Sequence, residues 1–262
     1  MRFMKRTAAV VAVGGMFLSV GSAFAADTAA GPEMVTSTQH RVMWLVSPMA
    51  GWDKDELQMP SGPPGSFSTE TDTGPEYGLF LMMIHPNVVL NNFMFYSKVN
   101  DADVSGDLFF ANYYYSSKAV FTWNVGCGYL YHLIEPAGEH IEVTAPMVKS
   151  GPVLRIPSWH LQLNPYLGYE WERVDTLHTT ADHNGSYLYG LTLTYHWRMF
   201  EAGVNYYYQD SQNLTPDEDF QVCRVRGSVF FNKNWGLSAR VDYAEHETTK
   251  DTSFLIGPVF LF

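Results

Sequence analysis

The segment T-S-F-L-I-G-P-V-F-L-F, residues Thr252–Phe262, is the part of the sequence that is most informative about the fold. Side chains alternate between the two faces of a β-strand, so every second residue lies on the same face. From Phe254 onward, one face of this stretch is apolar and consists of Phe254, Ile256, Pro258, Phe260 and Phe262. A water-soluble sheet seldom ends on such a strand with nothing polar after it. The stretch therefore predicts a β-strand with one face turned toward an apolar environment.

The same period of two residues recurs in longer segments of the chain. Within 186–197, one parity carries only Tyr, Leu and Trp, whereas the other is mostly Ser, Gly, Thr and His. The segments 119–133, 160–174 and 235–245 alternate in the same way. Strands of soluble sheets average about five or six residues, whereas a tilted membrane strand needs about nine to eleven. The length of these runs therefore favours membrane-spanning strands.

The breaks between these runs alternate between short and long. Five short turns are expected near Pro86-Asn87, Ser116–Lys118, Pro157–Trp159, Arg198–Glu201 and Asn232–Asn234. Six longer, acidic loops are expected near Leu57–Gly74, Val99–Ser105, Ile134–His140, Thr176–Gly185, Asp210–Asp219 and Glu247–Asp251. Eleven connections predict about twelve strands, with ten or fourteen as alternatives.

The expected strands lie near 39–56, 75–85, 87–98, 105–116, 118–133, 140–156, 160–175, 186–197, 201–209, 220–231, 235–246 and 252–262. Two of them contain residues that interrupt a regular strand. Pro48 and Gly51 lie in the first strand, and Pro146, Gly151 and Pro152 lie in the sixth. Proline and glycine inside a strand favour β-bulges at these places.

The amino-terminal residues have the pattern of a secretory signal peptide. Arg2, Lys5 and Arg6 precede a short apolar stretch, and Ala23-Phe24-Ala25 is an A-x-A-like cleavage site. We therefore expect a signal peptide at 1–25, a periplasmic lead at 26–38 and one β-barrel domain at 39–262. The residue directly after the expected cleavage site is Ala26 and not Cys, so we expect no lipoprotein anchor.

Composition excludes several classes of protein. No later stretch approaches 18 uninterrupted apolar residues, which argues against transmembrane helices. The formal net charge is −11, which disfavours nucleic-acid binding. Aromatic residues make up 15% of the chain and include 16 Tyr, an excess that suits a boundary between water and an apolar phase.

Taken together, these features resemble bacterial single-chain outer-membrane β-barrels, whose last strand commonly ends in Phe. The resemblance implies an all-β, antiparallel, up-and-down transmembrane barrel in the outer membrane of a Gram-negative cell. It also implies short periplasmic turns and longer external loops. The implied partners are membrane lipid, lipopolysaccharide and the barrel-assembly machinery, which would recognise the last strand through Phe260 and Phe262.

Five tryptophans fall near the ends of the expected strands. Membrane barrels carry girdles of aromatic residues at both membrane interfaces. We therefore expect an interfacial belt rather than a ligand cage, made of Trp123, Trp159, Trp171, Trp197 and Trp235.

Charged residues gather on the polar parity of the last third of the chain. The expected lumen-facing set comprises Arg224, Arg226, Arg240, Asp242, Glu170 and Glu172. These residues fit two interpretations: a selectivity constriction, or a salt-bridge network that fills a narrow barrel.

The expected strands between 75 and 116 are less amphipathic than the later ones. Leu79 and Leu81 are apolar, but so are their neighbours Phe80, Met82 and Ile84. Met94 also interrupts the expected polar face. An apolar inner wall for a hydrophobic solute is one interpretation, and packing of the lumen against an inward loop or the amino-terminal lead is the favoured one.

Candidate chemical sites are weak. His183 and Ser186 are the only candidates for a hydrolase, and their spacing misses the His-x-Ser element of the phospholipase and deacylase barrels. Acidic residues expected in loops (Asp101, Asp103, Asp107 and 217–219) are interpreted as solvated rather than as cation ligands. We expect no metal and no cofactor. Cys127 and Cys223 fall on apolar parities of distant strands, which predicts two unpaired, lipid-facing thiols.

The sequence thus favours a porin-like channel that passes small solutes by diffusion. The alternatives are an outer-membrane enzyme acting on lipid or lipopolysaccharide, and a structural or adhesive barrel with a plugged lumen. Fold alone does not decide among them.

Overall fold

The computed structural model describes residues 42–60, 67–99, 102–135, 140–176, 183–211, 220–245 and 249–262. The expected signal peptide at 1–25 and the lead at 26–38 lie outside these residues. Across the described ranges, no helix is long and apolar enough to cross a bilayer.

The described chain forms a closed barrel of twelve antiparallel strands, which confirms the predicted fold class. Each strand pairs with its neighbours in sequence, and β1 pairs with β12 to close the wall. The strands are β1 (Met43–Pro60), β2 (Phe67–His85), β3 (Val88–Val99), β4 (Ala102–Tyr114), β5 (Phe121–Glu135), β6 (Ile141–Ile156), β7 (Leu161–Thr176), β8 (His183–Trp197), β9 (Phe200–Ser211), β10 (Phe220–Phe230), β11 (Trp235–Glu245) and β12 (Thr249–Leu261). Closure leaves no unpaired edge, which is the requirement for a sheet in hydrocarbon.

The first hairpin is longer than the sequence indicated. Most of the expected loop Leu57–Gly74 is strand, because β1 and β2 pair without interruption from Met43–Ile84 to Pro60–Phe67. The β2 part of this extension, 68–74, is polar on both faces, so apolar alternation could not reveal it. Backbone hydrogen bonds hold it together, and residues such as Thr69, Thr71 and Thr73 suit a strand.

Two other expected loops are also shorter than predicted. β3 ends at Val99 and β4 begins at Ala102, so Asp103 and Asp107 are strand residues rather than loop residues. β11 ends at Glu245 and β12 begins at Thr249, which leaves only three residues between them. Acidic composition was therefore a poor guide to loop length.

The bulges expected in β1 and β6 are absent from the described pairs. Each strand pair keeps a single register throughout, including those on both sides of β1 and β6. Bridging is instead interrupted near the prolines, which cannot donate to the ladder. In the gap between β1 and β12, the Ser47 hydroxyl donates to the Pro258 carbonyl at 2.9 Å. A Cβ on Gly257 would lie 1.9 Å from the Pro48 carbonyl oxygen, so only glycine permits this approach of the strands.

The short turns cluster at one end of the barrel. Two-residue turns link β2 to β3 and β8 to β9, and a single 3₁₀ turn, Pro157–Trp159, follows β6. His160 and Arg198 have φ values of 55° and 53°, the left-handed conformation that lets the chain reverse tightly. The β4–β5 and β10–β11 connections lie at this same end, and the other six connections join strand ends at the opposite end, as the alternation of breaks predicted.

The core of the molecule is the interior of the barrel. Along β5, β6 and β12, buried side chains alternate with exposed or half-buried ones. The buried parity faces inward, where side chains from many strands form three apolar clusters. The outward parity of β12 contains Phe254, Ile256, Pro258, Phe260 and Phe262, as the terminal stretch predicted.

Candidate functional site in the barrel interior

The outer wall carries all seven tryptophans of the chain with 41–67% of their surface exposed. Trp123, Trp159, Trp197 and Trp235 lie at the short-turn end, whereas Trp171 lies toward the opposite end. Trp44 and Trp52, which the sequence analysis missed, add one tryptophan to each group. They were missed because the first strand was the least regular one. That these rings contact a membrane interface stays a prediction.

Two guanidinium groups share one carboxylate inside the barrel. Arg224 on β10 lies opposite Asp242 on β11, and its Nε is 3.5 Å from Asp242 Oδ2. Arg240 Nε donates to Asp242 Oδ1 at 2.7 Å, and Arg240 Nη2 also contacts Oδ2. All three side chains are buried. The structure therefore brings together three of the predicted lumen residues as one ion-paired group.

Arg226 extends this group through a partner that the sequence analysis missed. Its Nη2 donates to Glu201 Oε1 on β9 at 2.7 Å. Glu201 pairs with Ser228 in the ladder, so it lies diagonally across from Arg226. The sequence placed Glu201 in a turn, and only the strand register could have revealed this pair. We call the inward face of β9, β10 and β11 the charged wall.

Glu170 and Glu172 do not belong to this group. The line of paired residues through Arg224 crosses Asn205 and Thr192 and meets β7 at Asn164. Glu170 is six residues from Asn164, or about 20 Å along a strand. Glu170 is fully buried and accepts a hydrogen bond from Gln209 Nε2 at 3.3 Å, while Glu172 is half-buried. The two glutamates are therefore separated from the arginines along the strands.

The inward face of β2, β3 and β4 is an apolar wall. Phe80, Met82 and Ile84 are buried inside the barrel, whereas Leu79 and Leu81 lie on the outward parity. Met94 is also outward and exposed, so it does not interrupt the inner face as the sequence suggested. Among the described residues, this wall packs against side chains of other strands. The amino-terminal lead at 26–38, one of the partners that the sequence analysis favoured, lies outside them.

The apolar wall and the charged wall touch across the interior. The Arg226 guanidinium lies 5.0 Å from the centre of the Phe80 ring, and that of Arg240 lies 4.4 Å from the Phe93 ring. β2 and β10 are four strands apart around the wall, as are β3 and β11. These contacts are therefore chords through the lumen, held by cation–π attraction and burial.

A small cavity lies between these contacts. A cavity of about 10 Å³ lies between Phe80, Arg226, Arg240 and Ser228, enough for about one water molecule. Lys149 fills another part of the lumen, with its Nζ 4.9 Å from the Phe110 ring centre and 4.4 Å from that of Tyr166. Within the described residues, the lumen is a packed core.

A second charged group, the acidic trio, lies near the end of the barrel opposite the short turns. It consists of Asp53 and Asp55 on β1 and Asp251 on β12, all buried. One carboxylate oxygen from each residue lies within 4.8 Å of the other two. The trio was missed because the first strand showed no clear alternation, although D-x-D at 53 and 55 does place two acids on one parity.

The acidic residues expected in a loop take part in pairs on the outer wall. Asp103 accepts a hydrogen bond from the Tyr96 hydroxyl at 2.6 Å and lies 3.7 Å from the Lys98 Nζ. Asp107 accepts one from Asn92 Nδ2 at 2.6 Å. Asp101 and residues 217–219 lie outside the described residues.

The structure buries one of the two hydrolase candidates. Ser186 is 2% exposed on the inward face of β8, so its hydroxyl does not face lipid. His183 is the first residue of β8, and its side chain lies outside the described set. The two thiols are free, with Cys127 exposed and Cys223 half-buried on outward parities, which confirms that they are unpaired. That they face lipid stays a prediction.

The fold is shared with known membrane barrels. No protein-family model matches the sequence, and no curated protein sequence matches it. The translocator domain of the autotransporter NalP from Neisseria meningitidis is similar, with a TM-score of 0.55, 14% identity, and 98% of this chain and 97% of that chain covered.

Two further structures each give a TM-score of 0.50. The transport unit of the autotransporter AIDA-I from Escherichia coli has 11% identity, and the alignment covers 94% of this chain and 96% of that chain. The NanC porin has 14% identity, with 82% and 98% covered. At these identities the likeness concerns the fold alone, and the chain has the fold of outer-membrane β-barrels.

Proposed function

We propose that the protein is an integral outer-membrane barrel whose own side chains plug its lumen, so that it is a structural barrel rather than an open pore. One observation carries the proposal: inward side chains meet across the lumen, as in the pairs Arg226–Phe80 and Arg240–Phe93. An open channel needs an inner surface that water reaches. Here most inward side chains are buried from one end of the described strands to the other.

The outer surface supports insertion into the outer membrane. Exposed aromatic and aliphatic residues cover the outward parity of the strands, and tryptophans lie toward both ends. Membrane lipid and lipopolysaccharide are the proposed partners of this surface. The connections at the end opposite the short turns would face outward, and an amino-terminal signal at 1–25 would direct export.

Assembly would depend on the closing strand. The Trp44 amide donates to the Phe262 carbonyl at 3.1 Å, and the Phe262 amide donates back at 2.9 Å. Phe260 and Phe262 point outward and are exposed. We propose that the barrel-assembly machinery recognises this strand before it pairs with β1.

Planar-bilayer recording tests the plugged lumen. We expect no stepwise current from the wild-type barrel, and stepwise current from Phe80→Ala/Phe93→Ala, which removes two rings from the lumen. The matched control is Leu79→Ala/Met94→Ala, which changes outward residues of the same strands and should stay silent. Stable currents from the wild-type protein would contradict the proposal.

A diffusion channel for small solutes is the second candidate function. The observation that favours it is the row of Arg224, Arg226 and Arg240, since rings of charged side chains line selective pores. In that case the ion pairs would have to rearrange during conduction. If the wild type conducts, Arg226→Ala should change the ratio of chloride to potassium permeability, whereas the outward Lys98→Ala should leave it unchanged.

A further inference from the structure

We propose that the acidic trio is a binding site for a divalent cation, and that the cation is Ca²⁺. The site lies inside the barrel near the end opposite the short turns, between β1 and β12. Its ligands would be carboxylate oxygens of Asp53, Asp55 and Asp251.

The geometry of the trio suits one oxygen-ligated ion. Asp55 and Asp251 are directly opposite each other in the ladder, and Asp53 lies two residues along the same face of β1. Calcium binds oxygen at about 2.3–2.6 Å, so ligands on opposite sides of the ion are about 4.6–5.2 Å apart. The spacing of the trio, within 4.8 Å, lets all three oxygens reach one ion.

A neutral oxygen beside the trio also lacks a partner. Thr249 is 2% exposed on the inward face of β12, two residues before Asp251, and its Oγ1 has no hydrogen-bond partner among the described residues. It lies diagonally across the ladder from Asp55, within reach of the same point. Buried hydroxyl groups are nearly always hydrogen-bonded, so an unpaired one at this position indicates a missing ligand.

The carboxylates themselves carry the same signal. Asp53 Oδ1 and Asp251 Oδ1 are buried without a hydrogen-bond partner in the described part of the chain. The other Asp53 oxygen accepts from the Ser97 hydroxyl at 3.1 Å, which holds the side chain in place. Calcium commonly binds through several carboxylate oxygens of this kind.

The local charge requires compensation. Glu76 on β2 adds a fourth buried carboxyl group, oriented by a hydrogen bond from Ser253. No described basic side chain forms an ion pair with Asp53, Asp251 or Glu76, and Arg240 is engaged by Asp242. Buried carboxylates without a counter-charge are costly. The absence of His and Cys from the trio favours a hard ion, and Mg²⁺ usually retains waters that a buried all-protein site cannot supply.

The experiment uses the folded full chain in detergent. Isothermal titration with CaCl₂ should give one site with a Kd of about 10⁻⁵–10⁻³ M. The midpoint of heat-induced loss of the fast gel mobility should rise by about 3–8 °C in millimolar Ca²⁺ relative to EDTA. Absence of both effects in the wild-type protein overturns the proposal.

Substitutions of the proposed ligands test whether calcium binds at the acidic trio. Asp251→Asn and Asp53→Asn should abolish calcium binding, while their midpoint in EDTA stays equal to wild type or rises because carboxylate repulsion is relieved. A role in packing alone would instead lower the midpoint in both conditions. The control Asp103→Asn removes an exposed acid and should keep the full response. Thr249→Val, which keeps the shape and removes the hydroxyl, should weaken binding several-fold. Calcium binding that survives Asp251→Asn overturns the assignment.

Discussion

The charged wall and the apolar wall face each other across one lumen, yet only the charged wall could be recognised from the sequence. On β10 and β11, arginines alternate with valines, and the inner face is recognised at once. On β2, Leu79 and Leu81 face out while Phe80 and Met82 face in, so both parities are apolar. Alternation in a sequence therefore reports a difference in polarity between the two faces of a strand. It does not report the direction in which either face points.

The two walls also depend on each other. Each arginine that lies over a phenylalanine needs both an acidic partner beside it and a ring opposite it. A buried guanidinium without a carboxylate would leave an uncompensated charge in a low-dielectric interior. The phenylalanines of the apolar wall are therefore fully packed only when the arginines of the charged wall lie over them.

The largest expected effect comes from the charged wall. Asp242→Ala leaves Arg224 and Arg240 without their shared carboxylate, and we expect a loss of about 3–5 kcal/mol in the free energy of unfolding. Equilibrium urea unfolding in lipid vesicles measures this change. Asp103→Ala, which breaks an exposed pair, should cause no measurable change. Equal effects of the two substitutions would mean that the interior group does not stabilise the barrel.

An intermediate effect is expected from the apolar wall. Met82→Ala opens a cavity in a packed interior and should cost about 2–4 kcal/mol. Leu81→Ala, one residue away on the outward face, should cost about 1 kcal/mol, because lipid fills the space that the side chain leaves. The same unfolding assay compares them. A larger loss for Leu81→Ala would reverse the assigned orientation of β2.

The smallest expected effect is the direct coupling between the walls. A double-mutant cycle with Arg226→Ala and Phe80→Leu should give a coupling of about 0.5–2 kcal/mol, the range for a cation over an aromatic ring. The cycle cancels the separate loss of the Glu201 ion pair. A coupling of zero would show that the ring and the guanidinium are neighbours without net attraction.

Much of the fold could be predicted from local patterns. The strand number, the outward parity of β12, the positions of the short turns and the free thiols follow from alternation and turn residues within single segments. The first hairpin escaped prediction because residues 68–74 of its outer half are polar on both faces, as at Thr69 and Glu70. Its strand character comes from backbone pairing with β1, which leaves no apolar signal.

The interior could be predicted only in part, because it depends on register and closure. Arg224, Arg240 and Asp242 were grouped correctly since they lie on adjacent strands. Glu201 and the acidic trio depend on which residues the ladder places side by side, and Asp251 meets Asp55 only because the last strand returns to the first. Glu170 shares the inward parity but not the height of the arginines.

The closing pair of strands joins residues that are far apart in the chain, such as Ser47 and Pro258, which are 211 positions apart. β12 must therefore be synthesised before the wall can close, and until then the edges of β1 and β11 lack partners. A chain truncated before β12 would form an open sheet, whose unpaired edges are unfavourable in hydrocarbon. It would not form a slightly weakened barrel. Loss of the folded barrel on removal of the last strand should thus be abrupt.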